Sequence, residues 1–192
     1  YIFEGTQAEC KGMRVKFRYP NPLVRAATER FLEVNHGAYV KHLGDDLGRY
    51  FTATFCDEPS INARFSRPMP YRVLPSAPGL ADRYRARTDG RDLVRDIPYL
   101  ADEAADGEMS GRLRIAFWDE VGKMYAENFY GTISKWCRAH GFLSGGHLMG
   151  EERFNFHIGG YGNFFRCLKA LDCPSVDCLY SDPTQMPLVS PV

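Results

Sequence analysis

The stretch Ser144-Gly145-Gly146-His147-Leu148-Met149-Gly150-Glu151-Glu152 directly follows a long helical pattern, from about Leu113 to His140. Phe117, Val121, Met124, Tyr125, Phe129, Ile133 and Trp136 hold helical spacing along that pattern, and Gly141 ends it. A short apolar step, Phe142-Leu143, then leads through small residues to a histidine and two carboxylates. A helix, a short strand at 142–146 and polar chemistry at the strand's end form one unit of a parallel α/β fold. In α/β barrels the reactive groups sit at that C-terminal rim.

Outward from this unit the same alternation recurs. Leu23, Ala27, Phe31, Val34 and Ala38 share a helical face after Pro20-Asn21-Pro22, and Gly44 stops that helix near Leu43. The aromatic and β-branched run at 50–55 predicts a strand, and Pro59 forbids its simple continuation. Residues 60–77 carry three prolines and read as a long loop. Short helices are expected at 79–87 and 91–102, a solvent loop at 101–111, a helix near 163–171 and a last strand at 176–179. Residues 13–17 are a fourth strand candidate. A complete eight-stranded barrel needs about 250 residues. The expectation is therefore a partial (β/α)8 barrel: one domain over 1–192, excerpted from a longer multi-domain protein.

The acids at the two strand ends carry the chemistry. Asp57-Glu58 closes the first strand and Glu151-Glu152 follows the second. Glycosidic hydrolysis commonly uses two carboxylates, one protonated and one ionised. Neighbours on an extended chain point oppositely, so Asp57 and Glu58 are expected to divide, one facing the pocket and one bracing the loop. His147 and Glu151 share a face if a helical turn begins there. That geometry suits a hydrogen-bonded pair, a clamp on sugar hydroxyls or two metal ligands. Asp177 either reaches the rim or fixes a turn. His36, His42, His140 and His157 read as structural.

Composition excludes several classes. Lys and Arg balance Asp and Glu at 24 each, so nothing selects for nucleic acid. No apolar run reaches 18 residues, so no membrane-spanning helix is expected. The start Tyr1-Ile2-Phe3-Glu4 is not a signal peptide. The six cysteines form no Cys-x-x-Cys pair, which argues against structural zinc. Cys56 and Cys137 read as buried thiols, and one disulfide is conceivable among Cys167, Cys173 and Cys178. The turn at 159–162 lacks the order of a phosphate loop.

Several segments taken together resemble a known family. They are Phe31-Leu32-Glu33-Val34-Asn35-His36 with Tyr39, Phe55-Cys56-Asp57-Glu58-Pro59-Ser60, and Phe129-Tyr130 through Trp136-Cys137 and His140-Gly141. Gly146-His147 with Glu151, and Leu171-Asp172-Cys173-Pro174 with Asp177, complete the set. From about Pro22 to Leu179 the chain resembles the bacterial α-L-rhamnosidase-like glycoside hydrolases. The resemblance implies a (β/α)8 catalytic domain in a secreted or periplasmic enzyme acting on plant or microbial polysaccharide or oligosaccharide. By motif it assigns Glu58 and Glu151 as catalytic acid/base candidates, and Asp57, His147, Glu152 and Asp177 as substrate-binding candidates. It implies a further glutamate on a later strand, the remainder of a parent polypeptide as partner, and in some relatives a calcium ion near the sugar. Cys56 departs from the more usual Thr or small residue, and Gly150 loosens the expected placement of Glu151. The rival readings are a non-catalytic carbohydrate-binding barrel and a metal-dependent hydrolase with Asp57, His147 and Glu151 as ligands.

Overall fold

The computed structural model describes residues 9–11, 16–61, 73–102, 107–151 and 154–177, with side chains from Tyr19 onward. A short antiparallel hairpin, β1 (Glu9–Lys11) and β2 (Lys16–Arg18), comes first. The strand candidate at 13–17 thus coincides in part with β2, which pairs with β1 and not with the main sheet. Helices α1 (Arg25–Val34), α2 (His36–Leu43) and α3 (Leu47–Tyr50) follow, with a break at Asn35 that divides the single helix expected there. Strand β3 (Ala53–Asp57) begins three residues later than the sequence pattern, because α3 takes Tyr50.

Helices α4 (Leu80–Arg87), α5 (Leu93–Ala101), α6 (Gly107–Tyr125) and α7 (Gly131–Ala139) carry the chain back to β4 (Leu143–His147). The loop expected at 101–111 is overtaken from Gly107 by α6, which buries Ser110 and Leu113. A π-helical turn at Ala126–Tyr130 joins α6 to α7, so the long periodic pattern is one helix with an inserted turn. Then come α8 (Phe154–Tyr161), α9 (Phe164–Leu168) and β5 (Cys173–Pro174). The stretch 159–162, expected to be a turn, is largely the end of α8, and His157 lies on that helix. The last strand lies at Cys173–Pro174 and not at 176–179, of which 176 and 177 are irregular and 178 and 179 lie outside the described residues.

The sheet is parallel in the order β3-β4-β5, with helices in both connections. Among the described residues the sheet has three parallel strands with helices between them, which agrees with the expected α/β class but does not by itself make a barrel. Its central strand is fully packed from Ser144 onward, while Ala53, Phe55 and Asp57 on β3 alternate outward. Phe117, Val121, Tyr125, Tyr130 and Tyr161 dominate the larger core cluster; Leu32, Leu47, Ile133, Cys137 and Phe142 form a second. Asp172 ties the start of β4 to the segment before β5, accepting hydrogen bonds from the Ser144 N–H and hydroxyl at 2.9 and 2.8 Å and from Arg138 Nε at 2.6 Å.

The glycines of β4 set how closely the strands approach. Gly146 has φ +151°, and a Cβ there would lie 2.4 Å from the Cys56 carbonyl oxygen. Only glycine fits that backbone and that space. Cys137, Cys167 and Cys173 are free thiols, as is the half-buried Cys56, so Cys167 and Cys173 are not joined. Cys178 lies outside the described residues.

Candidate functional site

Register places the site. Asp57 and His147 are paired residues at the C-terminal ends of β3 and β4. Their side chains meet there: His147 Nε2 lies 2.9 Å from Asp57 Oδ1. The other ring nitrogen, Nδ1, lies 3.2 Å from Glu151 Oε1. That same Oε1 accepts the backbone N–H of Asp177 at 2.9 Å. The imidazole therefore bridges an exposed carboxylate and a buried one, their side chains 79% and 5% exposed.

Glu58 belongs to the same cluster. Its backbone is left-handed, φ +49°, a conformation that costs a non-glycine residue about 1 kcal/mol or more. The consequence corrects the expected division between Asp57 and Glu58. The turned backbone brings Glu58 back to the side of Asp57, and one ligand atom each of Glu58, His147 and Asp177 lie within 4.8 Å of one another. Asp57, Glu58, His147, Glu151 and Asp177 thus converge on one end of the sheet. Glu152 lies outside the described residues.

The His147–Glu151 pair forms without the helical turn expected for it. Residues 148–150 are irregular and Gly150 has φ +74°. Gly150 does not loosen Glu151: its carbonyl lies 2.8 Å from His157 Nε2, the ring of Phe156 packs against it, and Met149 donates its N–H to Tyr161 Oη at 2.7 Å. His157 stacks on Phe164 at 4.0 Å and His140 on Trp136 at 3.8 Å. Sequence reasoning missed Tyr161 and the other tyrosines beneath the site. Helical spacing marked Tyr125 as core, but nothing in it shows a hydroxyl reaching a loop.

Electrostatics follow from this packing. Burial raises the Glu58 carboxyl above the ordinary carboxylate range; His147 opposes the rise, and Asp57, Glu151 and Asp177 add to it. For His147, burial lowers the imidazole pKa, but the hydrogen bonds to Glu151 and Asp57 outweigh it and the net direction is upward. His147 so binds its proton more tightly folded than unfolded. Its contribution to stability is complete below its ordinary value of 6.5 and is lost as pH rises through the higher folded value. Thermal melts should accordingly show a midpoint that falls as pH is raised from 6.5, and His147→Gln should flatten that slope. An equal slope in the variant would place the effect elsewhere.

The donor set does not suit calcium, which takes six to eight oxygen ligands and has little use for imidazole. Imidazole with carboxylates suits a transition metal better. Both His147 nitrogens face carboxylates, so a metal held by Asp57, His147 and Glu151 would have to replace one of these hydrogen bonds. A surface hollow of about 390 Å³, lined by Gly48, Phe51, Arg138 and Leu143 among others, lies at the opposite end of β4 and holds none of these acids.

One solved structure shares this architecture: a rhamnosidase from Novosphingobium sp. PP1Y, with a TM-score of 0.57 and 16% identity. The match is to the fold. It covers 88% of this chain and 15% of that enzyme, so the chain spans a small part of the neighbour's length. No protein-family model matches the sequence, and no curated protein does. Among the described residues, no helix is long and apolar enough to cross a membrane.

Proposed function

We propose that this chain is part of a (β/α)8 catalytic domain of a rhamnosidase-like glycoside hydrolase, secreted or periplasmic, acting on plant or microbial glycans. The observation that carries the reading is the convergence of Glu58 and Glu151 on His147 at the C-terminal end of a parallel sheet. The distant fold likeness to a rhamnosidase supports it.

The roles follow from the environments. Glu58 is the general acid: burial and three neighbouring carboxylates favour its protonated form, ready to donate to the leaving oxygen. Glu151 is the ionised partner, held by His147 and by the Asp177 N–H. Asp57, the most exposed of the bonded acids, is placed to contact sugar hydroxyls, with His147 orienting its carboxylate.

The test is hydrolysis of aryl glycosides, α-L-rhamnosides first, by the chain and by the polypeptide that contains it. Release of the aryl alcohol by the wild type and its loss in Glu58→Gln and Glu151→Gln support the reading. Sugar binding by calorimetry with no hydrolysis would support a carbohydrate-binding barrel instead. The occupied nitrogens of His147 predict that prolonged EDTA treatment leaves turnover unchanged. Loss of turnover on chelation, restored by zinc, would favour the metal-dependent reading.

A further inference from the structure

The left-handed backbone at Glu58 has a visible restraint. The next residue, Pro59, has no N–H, so its carbonyl is the group through which the backbone there can be held. Two tyrosine hydroxyls donate to that one oxygen: Tyr125 at 2.8 Å and Tyr130 at 3.3 Å. Both side chains are completely buried. Their hydroxyls lie 3.5 Å apart, so the two also lie within hydrogen-bond reach of each other beside that oxygen.

The helix is built to allow this. Residues five apart on a regular α-helix point about 140° away from each other. Tyr125 and Tyr130 bracket the π-helical turn, whose five-residue register is seen in the Gly131 N–H bonding to the Ala126 carbonyl. That turn swings Tyr130 back beside Tyr125, ring centroids 5.1 Å apart. Such turns are frequent at functional sites. Tyr161 stacks parallel to Tyr125, and its hydroxyl holds the Met149 N–H two residues before Glu151. One buried tyrosine layer thus anchors the loops that carry both acids.

We infer that Tyr125 and Tyr130 are positioning residues for Glu58: together they pin the Pro59 carbonyl and fix the turn that aims the Glu58 carboxyl at His147. The inference rests on the reading of Glu58 as the acid for its functional meaning, but not for its geometry. A merely structural pair would fill the core with two rings and leave the turn to others. The neighbouring anchors, Tyr19 to the Ser60 carbonyl at 3.1 Å and the Ile61 N–H to Gly160 at 2.9 Å, lie further along the chain from Glu58.

The test removes the hydroxyls and keeps the rings, as Tyr125→Phe, Tyr130→Phe and the double variant of the full chain. Two measurements are read: the Glu58 Cα and Cβ NMR shifts, which report φ, and kcat and KM on aryl glycosides. In the double variant the Glu58 shifts should move from left-handed toward extended values. The kcat should fall on the order of tenfold to a hundredfold with KM little changed. Either single variant should show a smaller effect, because the other hydroxyl still holds Pro59. Glu58 shifts unchanged in the folded double variant would overturn the inference. If circular dichroism shows the double variant unfolded, Tyr125→Phe, which loses the shorter bond, is read on the same signals. If the wild type hydrolyses nothing, the proposed function fails, while the Glu58 shifts still decide the restraint.

Discussion

Replacing Glu58 by glutamine is expected to lower kcat by about 10² to 10⁴-fold on substrates with poor leaving groups, the range in which a positioned general acid contributes. Glutamine keeps the shape and removes the proton, so the melting temperature should stay close to that of the wild type. The leaving group separates this role from others. A dinitrophenyl glycoside departs without help, so the same variant should retain far more of its activity on that substrate. Glu151→Gln should not show this sparing, because the ionised partner is needed whatever the leaving group. A Glu58 variant equally impaired on both substrates would remove it as the proton donor, and full activity on both would remove it from the chemistry.

Gly146→Ala is expected to be the most damaging small substitution in the sheet. Its added methyl would sit 2.4 Å from the Cys56 oxygen and 3.0 Å from the Cys56 nitrogen, atoms of the paired strand that cannot rotate aside. Strain at φ +151° adds to the overlap. Together these should cost roughly 3 kcal/mol, seen as a lower denaturation midpoint. The site should suffer too, because His147 follows directly and Cys56 precedes Asp57. A variant as stable as the wild type would show that β3 and β4 separate easily. Gly141→Ala serves as the control: it shares a positive φ but its nearest neighbour is 3.7 Å away, so it carries strain without the clash.

The parallel α/β alternation was legible because its signals are local. The stripe from Phe117 to Trp136 has one helical face, and Gly141 punctuates its end. The pairing of Asp57 with His147 was less so, since register is set by strand packing across 90 residues of chain. Glu58 shows where pattern reasoning fails. An extended strand alternates its side chains, but one left-handed residue reverses the direction, and nothing in Asp57-Glu58-Pro59 announces that φ. Helix α8 was hidden by its glycines, which normally weaken helices. There Gly160 leaves room for the Phe156 ring, which a Cβ would meet at 2.8 Å. The tyrosine layer was read as core, and its rings do fill the core. Its hydroxyls act on carbonyls and amides that only the folded chain brings near.

The π-helical turn at Ala126–Tyr130 makes the length of its helix a constrained quantity. Deleting one residue there would heal the turn into regular α-helix, with each amide again bonding four residues back. The repair would look favourable locally. Five π-helical residues carry the chain round about as far as four α-helical ones, so the repair would leave Ile133 and Cys137 near their present phase, whereas a deletion in the regular helix just before them would rotate both by about 100° and out of their core cluster. The length of this helix is therefore fixed in its regular parts and adjustable by one residue only at the turn.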